Sequence, residues 1–273
     1  MSPQVAVQSQ LPARHALPRI VGFSILVALV VFAILVPFIW GVGIAERDVA
    51  MILSGPVHAH PLGTDDLGRD MLARLSAAVR LALGFALVTV VTAAVPATLS
   101  GILAACKGGV VDQCLGLLAK GLMTLPRLVL ILLIVAIMPG NLLMVYGAVA
   151  LVSWAECFCM TRALCRTVLA SPAVADSRLK GLGSLSVLRR HVWPELSPRL
   201  MSFCAFAAAS AITLLATLGF VGLGVSAPTA EPGQMIAELL RYYSAAPTSF
   251  ALPIVVLLLL TLSFILIGGA RKR

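Results

Sequence analysis

The sequence predicts an all-α integral membrane protein with six transmembrane helices. Of its 273 residues, 60% are hydrophobic and 11% charged, against roughly 45–50% and 25% in ordinary soluble domains. Mean hydropathy is +1.04. The uncharged stretches 20–40, 81–106, 128–155, 200–230 and 242–270 each reach the ~20 residues that cross a bilayer. This composition excludes a disordered chain, a disulfide scaffold and a soluble enzyme.

Residues 1–18 are polar and hold Pro3, Pro12 and Pro18, which predicts a loosely attached tail. Arg14 and Arg19 precede the first apolar run as in a signal peptide. The run lacks a small-residue cleavage site, so residues 19–40 are expected to be an uncleaved first helix. Residues 41–77 form an external polar segment. The second span is expected over 78–105, and Lys107, Gly108 and Gly109 turn the chain into a third over 114–137. Pro139, Gly140 and Asn141 are turn residues, so a fourth span follows to Met160. Residues 162–199 then carry Arg162, Arg166, Arg178, Lys180, Arg189, Arg190 and Arg199. A fifth span is expected over 200–222, a re-entrant or amphipathic external element over 222–247, and a sixth span over 249–268. Residues 78–270 are thus a five-helix core, and 271–273 a basic end.

Cationic loops favour the cytoplasmic face. Placing both termini there puts thirteen Lys and Arg inside and five outside, with 162–199 as a cytoplasmic loop between helices 4 and 5. The net charge of +9 is accounted for by this bias and implies no nucleic acid. Cys106, Cys114, Cys157, Cys159, Cys165 and Cys204 fall in or beside apolar spans without zinc spacing, and read as reduced packing residues.

No catalytic constellation is found: there is no Walker sequence, no HExxH and no GxSxG. His15, His58, His60 and His191 lie outside the spans, so no intramembrane metal site is expected. In the cytoplasmic loop a first helix ends at Gly181 and Gly183, and a second over 185–193 is expected to stop at Pro194. Val187, Leu188 and Val192 would await burial by a partner. In 60–70, HPLGTDDLGRD, the carboxylates allow a cation site, but Thr64 or Asp65 capping the next helix and Arg69 with Asp70 in structural pairs is the simpler reading. Lys120 reads as the one ionisable residue within a span, snorkelling to the interface or pairing with a partner.

The loop resembles that of the importer-type ABC permeases, and specifically the peptide and nickel permease family. Arg178, Gly181, Arg190, His191 and Pro194 match its pattern, with Ser177 a common variant and Asp176 beside it. Gly63, Thr64, Asp65, Gly68, Arg69 and Asp70 resemble the family's segment before helix 2. Gly108, Gly109, Asp112, Pro126, Trp154 and Arg162 match further positions, and Phe220, Gly222, Leu223, Gly224, Pro228 and Gly233 its external element. The likeness covers about residues 20–270. Departures are Lys120, Cys159, Pro172, Ala173, Asp176 and Pro232.

The resemblance implies a permease of the bacterial cytoplasmic (inner) membrane, paired with a second, homologous permease. Two ABC ATPase subunits would bind ATP and Mg, and an external or periplasmic binding protein would deliver cargo. No cofactor or metal would be bound by this chain. The cargo reading is nickel, a related metal or a metal chelate, with a di- or oligopeptide as the alternative. A non-transporting membrane scaffold would need a larger interaction domain than loops of about 35–38 residues.

Overall fold

A computed structural model describes residues 16–225 and 229–269, and every regular element within them is helical. Arg14, His15, Pro228, most of the 1–18 tail and the basic end 271–273 lie outside the described residues. Five helices are long and apolar enough to cross a membrane: α1 (Ala16–Trp40), α2 (Met71–Lys107), α5 (Leu142–Leu169), α8 (Trp193–Phe220) and α10 (Pro247–Gly269). Between α2 and α5 lie α3 (Gly109–Met123) and α4 (Arg127–Val135), which meet at 88°.

That bent pair is one broken crossing. Asp112 at the start of α3 pairs with Arg162 and Arg166 near the end of α5. Arg127 reaches Glu156 at its middle, and Leu130, Ile131 and Val135 pack against Val145 and Val149 near its start. The pair therefore meets α5 from its end to its start, and counted as one span it is the sixth beside the five long helices. The break lies where Pro126 offers no N–H and the Thr124 hydroxyl donates to the Gly121 carbonyl at 2.6 Å.

α2 forms the centre, touching α1, α3, α5, α8, α9 and α10. Ala78, Ala82, Ala86, Ala93, Ala97, Gly101 and Ala104 are buried along it. A Cβ on Gly101 would lie 2.9 Å from Cβ of Thr161, so α2 and α5 approach closely. In lipid, where apolar burial between helices gains little, such packing is the main attraction. α1 lies outside, with Phe23 and Phe38 exposed, held where Gly22 meets Ser263 and Leu266 of α10.

Several boundaries differ from the sequence expectations. α2 begins at Met71 instead of 78, because the Asp70 carboxylate accepts from the Ala73 N–H at 2.8 Å and caps it. α5 runs on to Leu169, and beyond it come α6 (Pro172–Leu179), α7 (Ser184–Val187) and a π turn over Leu188–Val192. Pro194 does not stop the helix. The Trp193 N–H bonds the Leu188 carbonyl five residues back, and this wider turn offsets the register so that the proline ring is accommodated. The result is a continuous rod over Ser184–Phe220, about 55 Å long at 1.5 Å per residue. It exceeds the ~40–45 Å of a whole bilayer, so its first turns project beyond the membrane. The described residues of 222–247 contain a short helix, α9 (Pro232–Leu239), followed by a 3-10 turn over Leu240–Tyr242.

Candidate functional site

Three polar assemblies stand out, one at each end of the bundle and one between. At the end reached by α5 and left by α8, α6 and α7 fold into a knob. α6 closes in a Schellman turn: the Gly181 N–H bonds the Arg178 carbonyl at 3.0 Å, and the Leu182 N–H bonds Ser177 at 3.2 Å. Gly181 has φ +82°, a backbone that a branched side chain resists. The Ser177 hydroxyl lies 2.8 Å from Nε2 of His191, tying α6 to the π turn.

Val174, Val187 and Val192 are buried inside the knob. Val187 and Val192 are thus not left for a partner, against the sequence expectation: both are buried by this chain alone, Val192 in a cluster with Cys165 and Leu196 against which Leu188 also packs. The residues left bare are Leu179 and Leu185, 88% and 79% exposed on either side of the glycine turn. Arg178, Arg189, Arg190 and Pro194 of the same segment are exposed as well. Asp176 pairs with Lys180 at 2.6 Å, an exposed pair worth about 1 kcal/mol or less.

Beneath the knob, buried Asp112 accepts a forked pair of bonds from Arg162, Nε at 2.5 Å and Nη2 at 2.6 Å, and a third from Arg166. Gly116 lies under the Arg162 guanidinium, where a Cβ would come within 3.6 Å of it. A groove of about 800 Å³ opens nearby between α5, α8 and α10, lined by Met160, Arg199, Phe203 and Phe206.

At the opposite end, residues 41–70 and α9 cover the bundle. Asp65 is fully buried and bonds both Arg69 (Nε, 2.6 Å) and Arg74. Both guanidiniums reach Oε2 of Glu238 on α9 at 2.9 Å, joining segments about 170 residues apart. The cap expected of Thr64 or Asp65 belongs instead to Asp70, since Asp65 is engaged by the arginines. Thr64 accepts from the Ser54 N–H at 3.0 Å and donates to the Met51 carbonyl. His60 Nδ1 lies 2.8 Å from Asp70.

Gly63 and Gly68 take positive φ where a Cβ would meet the carbonyls of Ser54 and Asp48. Asp65, Asp66 and Glu238 lie together, but two arginines occupy Oδ2 of Asp65 and Oε2 of Glu238, the Leu67 and Arg69 N–H groups Oδ1 of Asp65 and Nε2 of Gln234 the other oxygen of Glu238. Burial, together with neighbouring Asp65 and Glu238, raises the Asp66 carboxyl above its ordinary range.

α9 is seated by close approach. A Cβ on Gly233 would lie 1.8 Å from the Ala216 carbonyl and one on Gly224 2.5 Å from Cα of Gly219, while Gly222 is a turn residue with φ +81°. Glu231, fully buried, caps α9 by accepting from Gly233 N–H at 2.9 Å and Gln234 N–H at 2.8 Å. Burial pushes its carboxyl up to about 7, although those two bonds pull the other way.

Asp112, Arg127 and Glu156 all lie within crossings, so Lys120 is not the sole ionisable residue in a span, as its sequence reading held. A lone Glu in an apolar run gave no signal of a partner 29 residues away. Glu231 and Glu238 were likewise unremarked in the sequence. The other departures are structurally quiet: Pro172 and Pro232 occupy first turns, Ala173 is exposed and Cys159 packs in an α2–α5–α8 cluster.

The model of the binding-protein-dependent transport system inner membrane component family matches residues 97–271. The chain is 33% identical over 225 residues to the nickel transport system permease protein NikC of Escherichia coli K12, covering 82% of this chain and 81% of that one. It is 36% identical over 211 residues to the di/tripeptide transport system permease protein DppC of Pseudomonas aeruginosa, covering 77% and 70%. To the dipeptide permease DppC of Haemophilus influenzae it is 29% identical over 259 residues, covering 93% and 88%. With six crossings and a glycine-jointed knob between the fourth and fifth, the chain belongs to this inner membrane component family, among the peptide and nickel permeases of ABC importers.

Proposed function

We propose that the chain is one half of a translocation pathway, driven by ATPase subunits that dock on the α6–α7 knob at the cytoplasmic face, both termini lying on that side. Residues 1–18 serve as a tail, 41–77 as the external cover and 78–270 as the core. The observation that carries this is the pair of bare leucines, Leu179 and Leu185, on a knob whose own valines are already buried. Bare apolar side chains with exposed arginines in the same segment are the usual composition of a protein–protein contact. Asp176, Ser177, Arg178, Gly181, Arg190, His191 and Pro194 form or frame it. On the other side the Asp65–Arg69–Arg74–Glu238 cover, with Gly222, Gly224 and Gly233, faces a cargo-delivering binding protein, Pro228 of the same element lying outside the described residues. The chain itself catalyses nothing, ATP and Mg residing on the partners.

The cargo read from the nickel-like character of 222–231 and 62–70 is nickel, as a metal or a chelate. The 36% identity to a di/tripeptide permease keeps short peptides as the second reading. Leu179→Asp with Leu185→Asp tests the docking. The double variant should reach the membrane at the wild-type level yet lose co-purification of ATPase subunits. Retained co-purification would refute the assignment of the knob.

A further inference from the structure

α5 carries a charge at its middle as well as at its end. Glu156 is the fifteenth of its 28 residues, about 9 Å of helix before Arg162, so it lies within the apolar length of α5. Arg127, the first residue of α4, faces it from the broken crossing. Its Nη1 lies 3.4 Å from Oε1 and 3.5 Å from Oε2 of Glu156. That is one long ion pair for a guanidinium with five N–H donors. Nε and Nη2 are buried without a hydrogen-bond partner. Such donors are costly to leave unmet, and what Arg127 lacks among the described residues is an acceptor.

The side chains of Arg127 and Glu156 remain 28% and 31% exposed, an exposure that acyl chains oppose at this depth. Met160, four residues after Glu156 and so on the same face of α5, lines the 800 Å³ groove. The start of α4 has no side-chain cap and adds partial positive charge. Lys120, the next charge back along the chain, is also a cation. A bare divalent cation would meet two positive groups and one carboxylate already engaged, whereas a carboxylate would complete the shell of Arg127.

We propose that Arg127 and Glu156 form an intramembrane station at which a carboxylate of the cargo displaces Glu156 from the Arg127 guanidinium. The cargo class is then a carboxylate-bearing solute, a short peptide or a carboxylate chelate of a metal, and not a free metal cation. This deepens the import reading and rests on it. Between passages Glu156 restores the pair, so no isolated charge stays in the membrane. A long, weak pair suits a pathway, since tight binding would stall release.

The test uses source cells with the chromosomal copy deleted and replaced by the wild-type chain, Arg127→Gln or Arg127→Lys, all partner subunits being present. The radiolabelled probes are Ala-Ala and its C-terminal amide, nickel with excess histidine, nickel with excess histamine, which lacks the carboxylate, and nickel alone. The binding protein is the same in every strain. Its own preference therefore cancels when the ratio of carboxylate to carboxylate-free uptake is compared between strains.

Arg127→Gln should lower the maximal uptake rate of the carboxylate form about tenfold, the worth of ~1.4 kcal/mol. It should leave the half-saturating concentration unchanged and erase the ratio, at an unchanged protein level by immunoblot. Arg127→Lys should give an intermediate ratio, and decides the matter if the glutamine variant does not reach the membrane. Whichever probe pair responds identifies the source of the carboxylate. A wild-type ratio in Arg127→Gln, or in Arg127→Lys where that variant decides, overturns the station alone, as does chain-dependent uptake of nickel confined to the free ion. If deletion alters uptake of no probe, the import reading falls and the station with it.

Discussion

Replacing Glu231 with glutamine should change how the stability of this permease depends on pH. In the unfolded chain the carboxyl titrates near 4.5, and in the fold it is pushed up to about 7 by burial. Below pH 4.5 it is protonated in both states. Between 4.5 and 7 the folded protein keeps a proton that the unfolded chain has released, so stability falls as pH rises through this window, and levels off above 7. At about 1.4 kcal/mol per tenfold, the loss is on the order of 3 kcal/mol. Glu231→Gln never ionises, but one carbonyl oxygen cannot accept from both Gly233 and Gln234, which costs about 1 kcal/mol as a weakened cap. The variant should therefore be the less stable protein at pH 5 and the more stable at pH 8, by about 2 kcal/mol or 4–8 °C. Thermal unfolding of the purified permease in detergent at pH 5, 6, 7 and 8 measures this. Curves for the two proteins that fall in parallel would refute burial as the cause.

Gly181→Val puts a branched residue at φ +82° with no side chain nearby, so it should cost about 1–2 kcal/mol locally, leave the permease in the membrane and lower substrate-stimulated ATPase activity of the complex. Gly233→Ala drives a Cβ to 1.8 Å from the Ala216 carbonyl, and should lower the melting temperature by the equivalent of about 3 kcal/mol or more; a shift below 1 kcal/mol would mean that α9 is not seated as described. Asp112→Asn removes the counter-charge of Arg162 and Arg166, and should reduce transport per ATP hydrolysed more than it reduces ATPase activity itself. Single cysteines at Ala59 and Ser186, both exposed, in a background without the native cysteines should label from opposite sides; labelling of both from outside would sink the six-crossing arrangement.

The crossings were legible in the sequence because twenty uncharged residues in a row leave few alternatives. The two glycines after Lys107 and the turn at Gly181 were legible for a similar reason, as positive φ is written in residue type. The break between α3 and α4 was not legible as a right-angle bend. Pro126 marks an interruption, but the direction of the chain afterwards is set by packing of Leu130, Ile131 and Val135 on α5. The fate of Pro194 was misread because a π turn is a register effect with no composition of its own. The ion pairs escaped because they join distant segments: Arg69 and Arg74 meet Glu238, and Arg127 meets Glu156, only once the helices are stacked. The loop valines were assigned to a partner because the sequence does not say that this chain buries them itself.

These placements give α5 a particular mechanical position. Its last turns are bound to α3 through Asp112, its middle to the start of α4 through Glu156, and its buried face to α2 through small residues that leave little room to slide. Only Ala170 and Ser171 separate it from α6, too few to act as a slack tether. Displacement of the knob by a docked ATPase would therefore be delivered to α5, a 28-residue helix, and carried along it to Glu156. The weakest link on that route is the 3.4 Å pair between Arg127 and Glu156, at the bend of the broken crossing. Among polar contacts, α3 is held to α5 by three short bonds and α4 by one long one, so a shift of α5 would loosen the pair at the start of α4 before it disturbed the clamp at Asp112. Coupling and cargo contact would then meet at one place.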